Sequence, residues 1–265
     1  MKSALFAASA LALAVIAGCS SDEKSNTTET AAPAENTAQQ MAETEQQAAQ
    51  PATGPQAGGV APGVDPARFD IYAPVELNAD LSSLSDNQRQ MIGKLIDASK
   101  IMDQLFWLQS YGPAQELLSG IDDSAARKFA DINYGPWDRL NDNKPFIEGY
   151  EDKPLGAEFY PEDMTKQEFE AWEQPGKEGL YSLVRRDAEG KLKLVPYHEA
   201  YKSELEKAAA LLREASALAE DQDFAAYLKL RADALMNDEF RASDMAWMDM
   251  KDNRIDVVIG PIANY

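Results

Sequence analysis

Histidine and cysteine, the residues most often recruited to metal and nucleophilic chemistry, occur once each in 265 residues. The histidine lies in "YHEAYKSEL", residues 197–205, where Glu199 follows it as in the zinc-peptidase pattern His-Glu-x-x-His. That pattern needs a second imidazole one helical turn on. Position 202 holds Lys202, and 203, the place in the variant longer by one residue, holds Ser203. Catalytic zinc normally takes three protein ligands, so His198 helped by carboxylates alone is a poor zinc site. A structural histidine near a helix start is the better reading. A serine hydrolase would also have to use His198 as its base, and no Gly-x-Ser-x-Gly elbow accompanies it. Phosphate-binding Gly-rich loops and EF-hand spacing are missing too. The acid pairs Glu151-Asp152 and Glu162-Asp163 read as solvated surface, and Met236, Met245, Met248 and Met250 as core. Taken from its residues, the chain has no catalytic constellation.

Positive charge is also short. The formal net charge is −20, and beyond residue 66 there are 23 basic residues against 38 acidic ones. Such a surface repels phosphate backbones, which excludes nucleic acid as a partner.

The chain opens "MKSALFAASALALAVIAGC". Lys2 supplies a positive start, Ala4 to Ile16 an apolar run too short for a mature membrane span, and Ile16-Ala17-Gly18-Cys19 a lipobox. Residues 1–18 are therefore expected to be a lipoprotein signal peptide, with Cys19 as the lipidated residue. An ordinary secretory signal whose cleavage site abuts a cysteine is the alternative. Ser20 at the next position resembles outer-membrane sorting, giving a lipid-anchored protein of the bacterial cell envelope that faces the periplasm. With Cys19 acylated, no disulfide can form within a monomer. Residues 19–66 are built mainly from Ala, Gln, Thr, Glu, Pro and Gly, and contain no aromatic residue. They cannot bury enough apolar surface to offset ordering entropy, so they read as a disordered tether.

Residues 67–265 hold all ten tyrosines, all four tryptophans and eight of the nine phenylalanines, enough for one domain with a substantial core. Ser85-Asp86-Asn87-Gln88 has the form of a capping box, and apolar residues at three-and-four spacing from Met91 to Phe106 predict a helix to about Ser110, ended by Gly112-Pro113. A shorter helix is expected from Ser124 through Ala130, and another after the Thr165–Glu168 box. Between them lies a Gly/Pro-punctuated passage whose many aromatics imply packing. "GLYSLVRRDAEGKLKLVPY" predicts a hairpin, Leu180–Arg186 with Lys191–Val195. Tyr201, Leu205, Ala208, Leu212 and Ala215 line one face of a following helix. Asp221–Met236 and Asp238–Met250 read as two more, with Phe224, Tyr227, Leu228, Leu235, Phe240 and Trp247 inward. Ile255–Ile259 reads as a C-terminal strand covered on both faces. The expected class is α+β, mostly helical, with one hairpin plus that strand.

Three segments carry a resemblance. "FADINYGPWDRLNDNKPFIEGYEDKPLGAEFYPEDMTKQEFEAW", "LYSLVRRDAEGKLKLVPYHEAYKSELEKAAALLREA" and "IDVVIGPIANY" together resemble, in that order, the amino-terminal half of the dipeptidyl peptidase III family. The resemblance implies a zinc metallopeptidase-like protein whose metal ligands and general base lie in a His-Glu-x-x-x-His helix and a later Glu-rich helix. Neither motif is in this chain, so no cofactor is expected in it, and zinc belongs to the complete family member. The expected contribution is one wall of a peptide-binding cleft, with Tyr134, Trp137, Asn264 and Tyr265 along it and the last strand offering backbone hydrogen bonds to an extended peptide. Ala263 stands where an acidic residue is expected. The chain then reads as a truncated portion, inactive alone. The alternative is a free-standing envelope lipoprotein acting as a binding or scaffolding module.

Overall fold

In the computed structural model the described residues are 58–261. The signal peptide, Cys19 and most of the tether lie outside them, as do Ala263, Asn264 and Tyr265. The fold is α+β and mostly helical. Helix α1 spans Asp86–Ser110, α2 Ala114–Leu118, α3 Ser124–Asn133, α4 Lys166–Ala171, α5 Tyr197–Ala200, α6 Lys202–Leu218, α7 Gln222–Ala234 and α8 Arg241–Asp249. Two 3-10 helices, Pro66–Asp70 and Ala157–Phe159, and two antiparallel pairs accompany them: β1 (Trp137–Asp138) with β2 (Lys144–Pro145), and β3 (Ser182–Arg186) with β4 (Leu192–Pro196).

Helix α1 starts where the capping box requires. The Ser85 hydroxyl accepts from the Gln88 N–H, and the Gln88 side chain accepts from the Ser85 N–H, both at 3.1 Å, which satisfies two donors that the first turn leaves open. Thr165 caps α4 by the same forward bond, at 3.1 Å to the Glu168 N–H. The turn of the β3–β4 hairpin is closed by Asp187, whose carboxylate accepts from the Glu189 and Lys191 N–H groups, while Gly190 takes φ +79°.

The side chains sort into two cores. In the first, α1 packs along α6, α6 on α7 and α7 on α8. All five residues predicted for one face of the helix after the hairpin are buried there, with Tyr201 just ahead of α6 and Leu205, Ala208, Leu212 and Ala215 within it. The second core is aromatic, gathering Phe69, Trp107, Phe129 and Phe146 with Leu117, Ile121 and Ile147. Residues 58–64 also take part: Val60 bridges Ile147, and the Ala61 N–H donates to the Phe146 carbonyl at 2.9 Å.

Two expectations are corrected. Trp247 is 38% exposed, and Met245 and Met248 are exposed beside it, because α8 meets the core mainly through Phe240, Ser243, Ala246 and Met250. Ile255–Ile259 pairs with no strand among the described residues, and Val258 stands 62% exposed, so only one face is covered.

Candidate functional site

The two cores meet at the last turns of α1. Residues two apart on a helix point about 200° from one another, so Leu105 enters the first core while Trp107 enters the second. Gln109 then lies at the junction, 1% exposed, its amide donating to the Pro261 carbonyl at 3.5 Å. The end of α1 thus ties the aromatic core to the segment approaching the chain end.

On the aromatic side, Trp107, Tyr111, Tyr134, Trp137 and Tyr150 form a continuous cluster. Ring centroids lie 5.3 Å apart for Trp107–Tyr134, 6.0 Å for Tyr111–Trp137 and 6.2 Å for Trp137–Tyr150. Helix α3 positions two of these rings through its C-terminus. Tyr134 takes the left-handed conformation, φ +53°, and Gly135 follows, where a Cβ would sit 3.0 Å from the Trp137 ring. The Trp137 indole donates to the Glu151 carbonyl at 2.8 Å, and the Tyr111 and Tyr150 hydroxyls are 2.7 Å apart. Burial, and then its hydrogen bond to Asp103, pushes the Tyr134 hydroxyl up to about 12, so it stays protonated at neutral pH. Of the residues expected along a cleft, Tyr134 and Trp137 are therefore brought together. Asn264 and Tyr265 fall outside the described residues.

A polar strip runs alongside. Arg185 is half-buried on β3, and its Nη1 donates to the Val184 carbonyl at 2.8 Å and to the Phe159 carbonyl at 3.4 Å. Burial disfavours its charge and lowers its pKa, while Tyr201, Glu158 and Tyr197 nearby partly offset this. Burial likewise pushes Tyr201 up to about 12, against the pull of Arg185 and of its hydrogen-bonding neighbour Gln109. Glu158, at the exposed rim, is raised by desolvation and eased back by Arg185. Lys153, half-buried and close to Arg139, is lowered by desolvation and by that like charge. The next residue on β3 has a different role. Arg186 grips Asp163 and Glu168 with contacts of 2.8–2.9 Å and so fixes the hairpin to α4. Successive strand residues point to opposite faces, so one arginine of the pair staples the fold and the other faces the junction.

His198 lies apart from this strip in its contacts. Asp238, at φ +60° after α7, accepts from the His198 N–H at 3.2 Å and holds Nδ1 at 2.8 Å, while Nε2 is 3.9 Å from Glu199. The imidazole pins the turn between α7 and α8. Among the described residues no three His, Cys, Asp or Glu side chains lie close enough together to hold a metal. A single imidazole, with no second nitrogen or sulfur donor beside it among the described residues, falls short of the three protein ligands a catalytic zinc takes, so the donors present do not fit that ion. The arrangement as a whole gathers two buried tryptophans, the half-buried Tyr111, Tyr134 and Tyr150, and one half-buried guanidinium around the end of α1.

Sequence reasoning did not single out Gln109, Arg185 or Tyr201. The one signal was Arg185-Arg186 inside a predicted strand, which must place a charge on each face.

Two solved structures and one curated protein are similar to this chain. The structure of dipeptidyl peptidase III from Caldithrix abyssi matches with 38% identity and a TM-score of 0.69, over 73% of this chain and 39% of that one. That of dipeptidyl peptidase III from Corallococcus sp. strain EGB matches with 35% identity and a TM-score of 0.64, over 70% and 37%. Nudix hydrolase 3 of Arabidopsis thaliana is 29% identical over 256 residues, 73% of this chain and 33% of that protein. No protein-family profile matches the chain. The chain spans between a third and two-fifths of the length of these relatives.

Proposed function

We propose that this chain, dipeptidyl peptidase III-like over its folded part, supplies one wall of a peptide-binding cleft in a peptidase-like protein and does not itself hold the catalytic zinc. The observation that carries this reading is the junction at the end of α1. There the Trp107–Tyr150 aromatic cluster adjoins Gln109, Tyr201 and the half-buried Arg185. A guanidinium whose desolvation is only partly offset is a ready partner for a carboxylate, and the half-buried rings of Tyr111, Tyr134 and Tyr150 suit the side chains of an extended peptide. The name of the Arabidopsis relative is not transferred, since only 33% of that protein is matched.

Titration of the full chain with unmodified tetrapeptides, followed by tryptophan fluorescence, tests the reading. Arg185→Gln should weaken binding about tenfold, equivalent to about 1.4 kcal/mol, in a chain that still melts cooperatively. Unchanged affinity in that variant, or no binding by the parent chain, rules the wall out.

The lipobox supports a second part of the reading: Cys19 carries lipid and holds the protein at the envelope, on the outer membrane facing the periplasm, with the tether giving reach. No helix among the described residues is long and apolar enough to cross a membrane. Cys19→Ser should move the protein from the membrane fraction to the soluble one. Retention of the variant in the membrane pellet contradicts the anchor.

A further inference from the structure

Two tyrosine hydroxyls meet at the end of α1. Tyr111 caps the C-terminus of that helix, Tyr150 lies shortly after β2, and their hydroxyl oxygens are 2.7 Å apart. The ring centroids are separated by 6.1 Å at an interplanar angle of 58°. Trp137 is buried against both rings, 6.0 Å from Tyr111 and 6.2 Å from Tyr150. The two phenols themselves are only half-buried, which leaves them within reach of a small solute. Burial, and then the bond to Tyr150, raises the Tyr111 pKa and keeps that phenol protonated at neutral pH.

This contact has the form of a coupling geometry. In a biphenol the two oxygens stand on carbons next to the carbon–carbon bond and lie close together. Hydroxyls in contact therefore hold two phenols near the arrangement that ortho coupling needs. The centroids must close by less than the width of one ring, a motion open to half-buried side chains. Other tyrosines are placed less well. Tyr197–Tyr201 at 5.5 Å and Tyr181–Tyr197 at 6.3 Å are as near by centroid, but both pairs use Tyr197, which is 1% exposed and closed to a diffusing oxidant. Tyr160 is open to solvent, and its ring neighbour is Phe169.

We propose that Tyr111 and Tyr150 are an oxidative cross-linking site, where a diffusible one-electron oxidant joins the rings as dityrosine and staples the end of α1 to the segment after β2. Each phenol gives one electron to one oxidant molecule and one proton to water. The two phenoxyl radicals couple through their ortho carbons, forming one C–C bond. The hydrogens on those carbons leave as protons while protons return to the oxygens, so both phenols are restored. In total two electrons and two protons are lost, and two oxidant molecules are reduced. The bond closes a separation of 39 residues, which restricts the unfolded chain while keeping the folded contact. The proposal is independent of the cleft assigned to Arg185, since it needs neither a peptide nor the family likeness.

Photogenerated tris(bipyridyl)ruthenium(III), which returns to ruthenium(II) on taking an electron, tests it on the full chain at low concentration. Its positive charge favours approach to a chain of net charge −20. A monomer lighter by two hydrogens should form, with dityrosine fluorescence, and tandem mass spectrometry should place the link between Tyr111 and Tyr150. Tyr150→Phe should lower that fluorescence roughly tenfold or more in a chain that still melts cooperatively. The linked parent should melt at a higher temperature than the untreated one. A main link at Tyr197–Tyr201, or between chains through Tyr160, overturns the proposal. So does loss of tyrosine without dityrosine in the folded parent, or a linked chain that melts no higher.

Discussion

Replacing Phe129 with alanine should destabilise the protein by about 3–5 kcal/mol, the cost of emptying a large aromatic site in a core that cannot fully collapse. Phe129 is fully buried, and its ring meets Phe146 at 4.9 Å, Phe69 at 5.4 Å and Tyr72 at 5.6 Å. This core is small, and it also holds Ile147, which bridges Val60, so a cavity there loosens the passage that carries Trp137 and Tyr150. Phe129→Leu keeps most of the volume and should cost far less. Urea denaturation decides the matter: the alanine variant should show a lower midpoint with an unchanged slope. A loss under about 1 kcal/mol would mean that the aromatic core does not hold its region in place.

Asp244→Ala should cost about 3 kcal/mol, the low end for a buried ion pair that loses one partner, because Asp244 is itself half exposed. Arg231 is only 3% exposed. Its guanidinium lies between the rings of Tyr227, 5.5 Å away, and Phe240, 5.3 Å away, with Nε unpaired and Nη2 donating to Asp244. Without the carboxylate the charge stays buried with the Tyr227 hydroxyl and two aromatic faces but no anion bonded to it. Arg231→Met removes that charge while roughly keeping the volume, so the double variant Arg231→Met with Asp244→Ala should be more stable than Asp244→Ala alone. Equal melting of the two would show that the buried charge is not the source of the loss.

Local chemistry made much of the fold readable. The Ser85–Gln88 box marks the start of α1 because two orphan donors need those two side chains, and Asp221 caps α7 by the same logic. The hairpin was legible from two β-rich runs around Asp187 and Gly190, and the buried face of α6 from its spacing. What was not legible depends on contacts far apart in sequence. Whether α8 turns Trp247 inward is decided by where α7 lies, and Trp247 instead donates its indole N–H to Asp256. The short pairing of β1 with β2 is set by a turn in which Asp142 and Asn143 both take positive φ, which composition does not announce. His198 and Asp238 are forty residues apart, so the carboxylate that occupies the imidazole has no local signature. Ile255–Ile259 read as a strand covered on both faces because Val257, Val258 and Ile259 form a continuous apolar run, while a ladder partner is a property of another segment. At the site, Tyr134 and Trp137 stood out as aromatics in a loop. Gln109 and Tyr201 looked like ordinary helix residues until the packing placed them beside Arg185.

The proposed function gives this chain binding surface without the catalytic metal. Zinc per chain, measured by elemental analysis after dialysis against a weak chelator and alongside a dipeptidyl-substrate assay, tests it most directly. Clearly substoichiometric zinc and hydrolysis no faster than the blank are expected. One zinc per chain retained through dialysis, with hydrolysis above the blank, would contradict it.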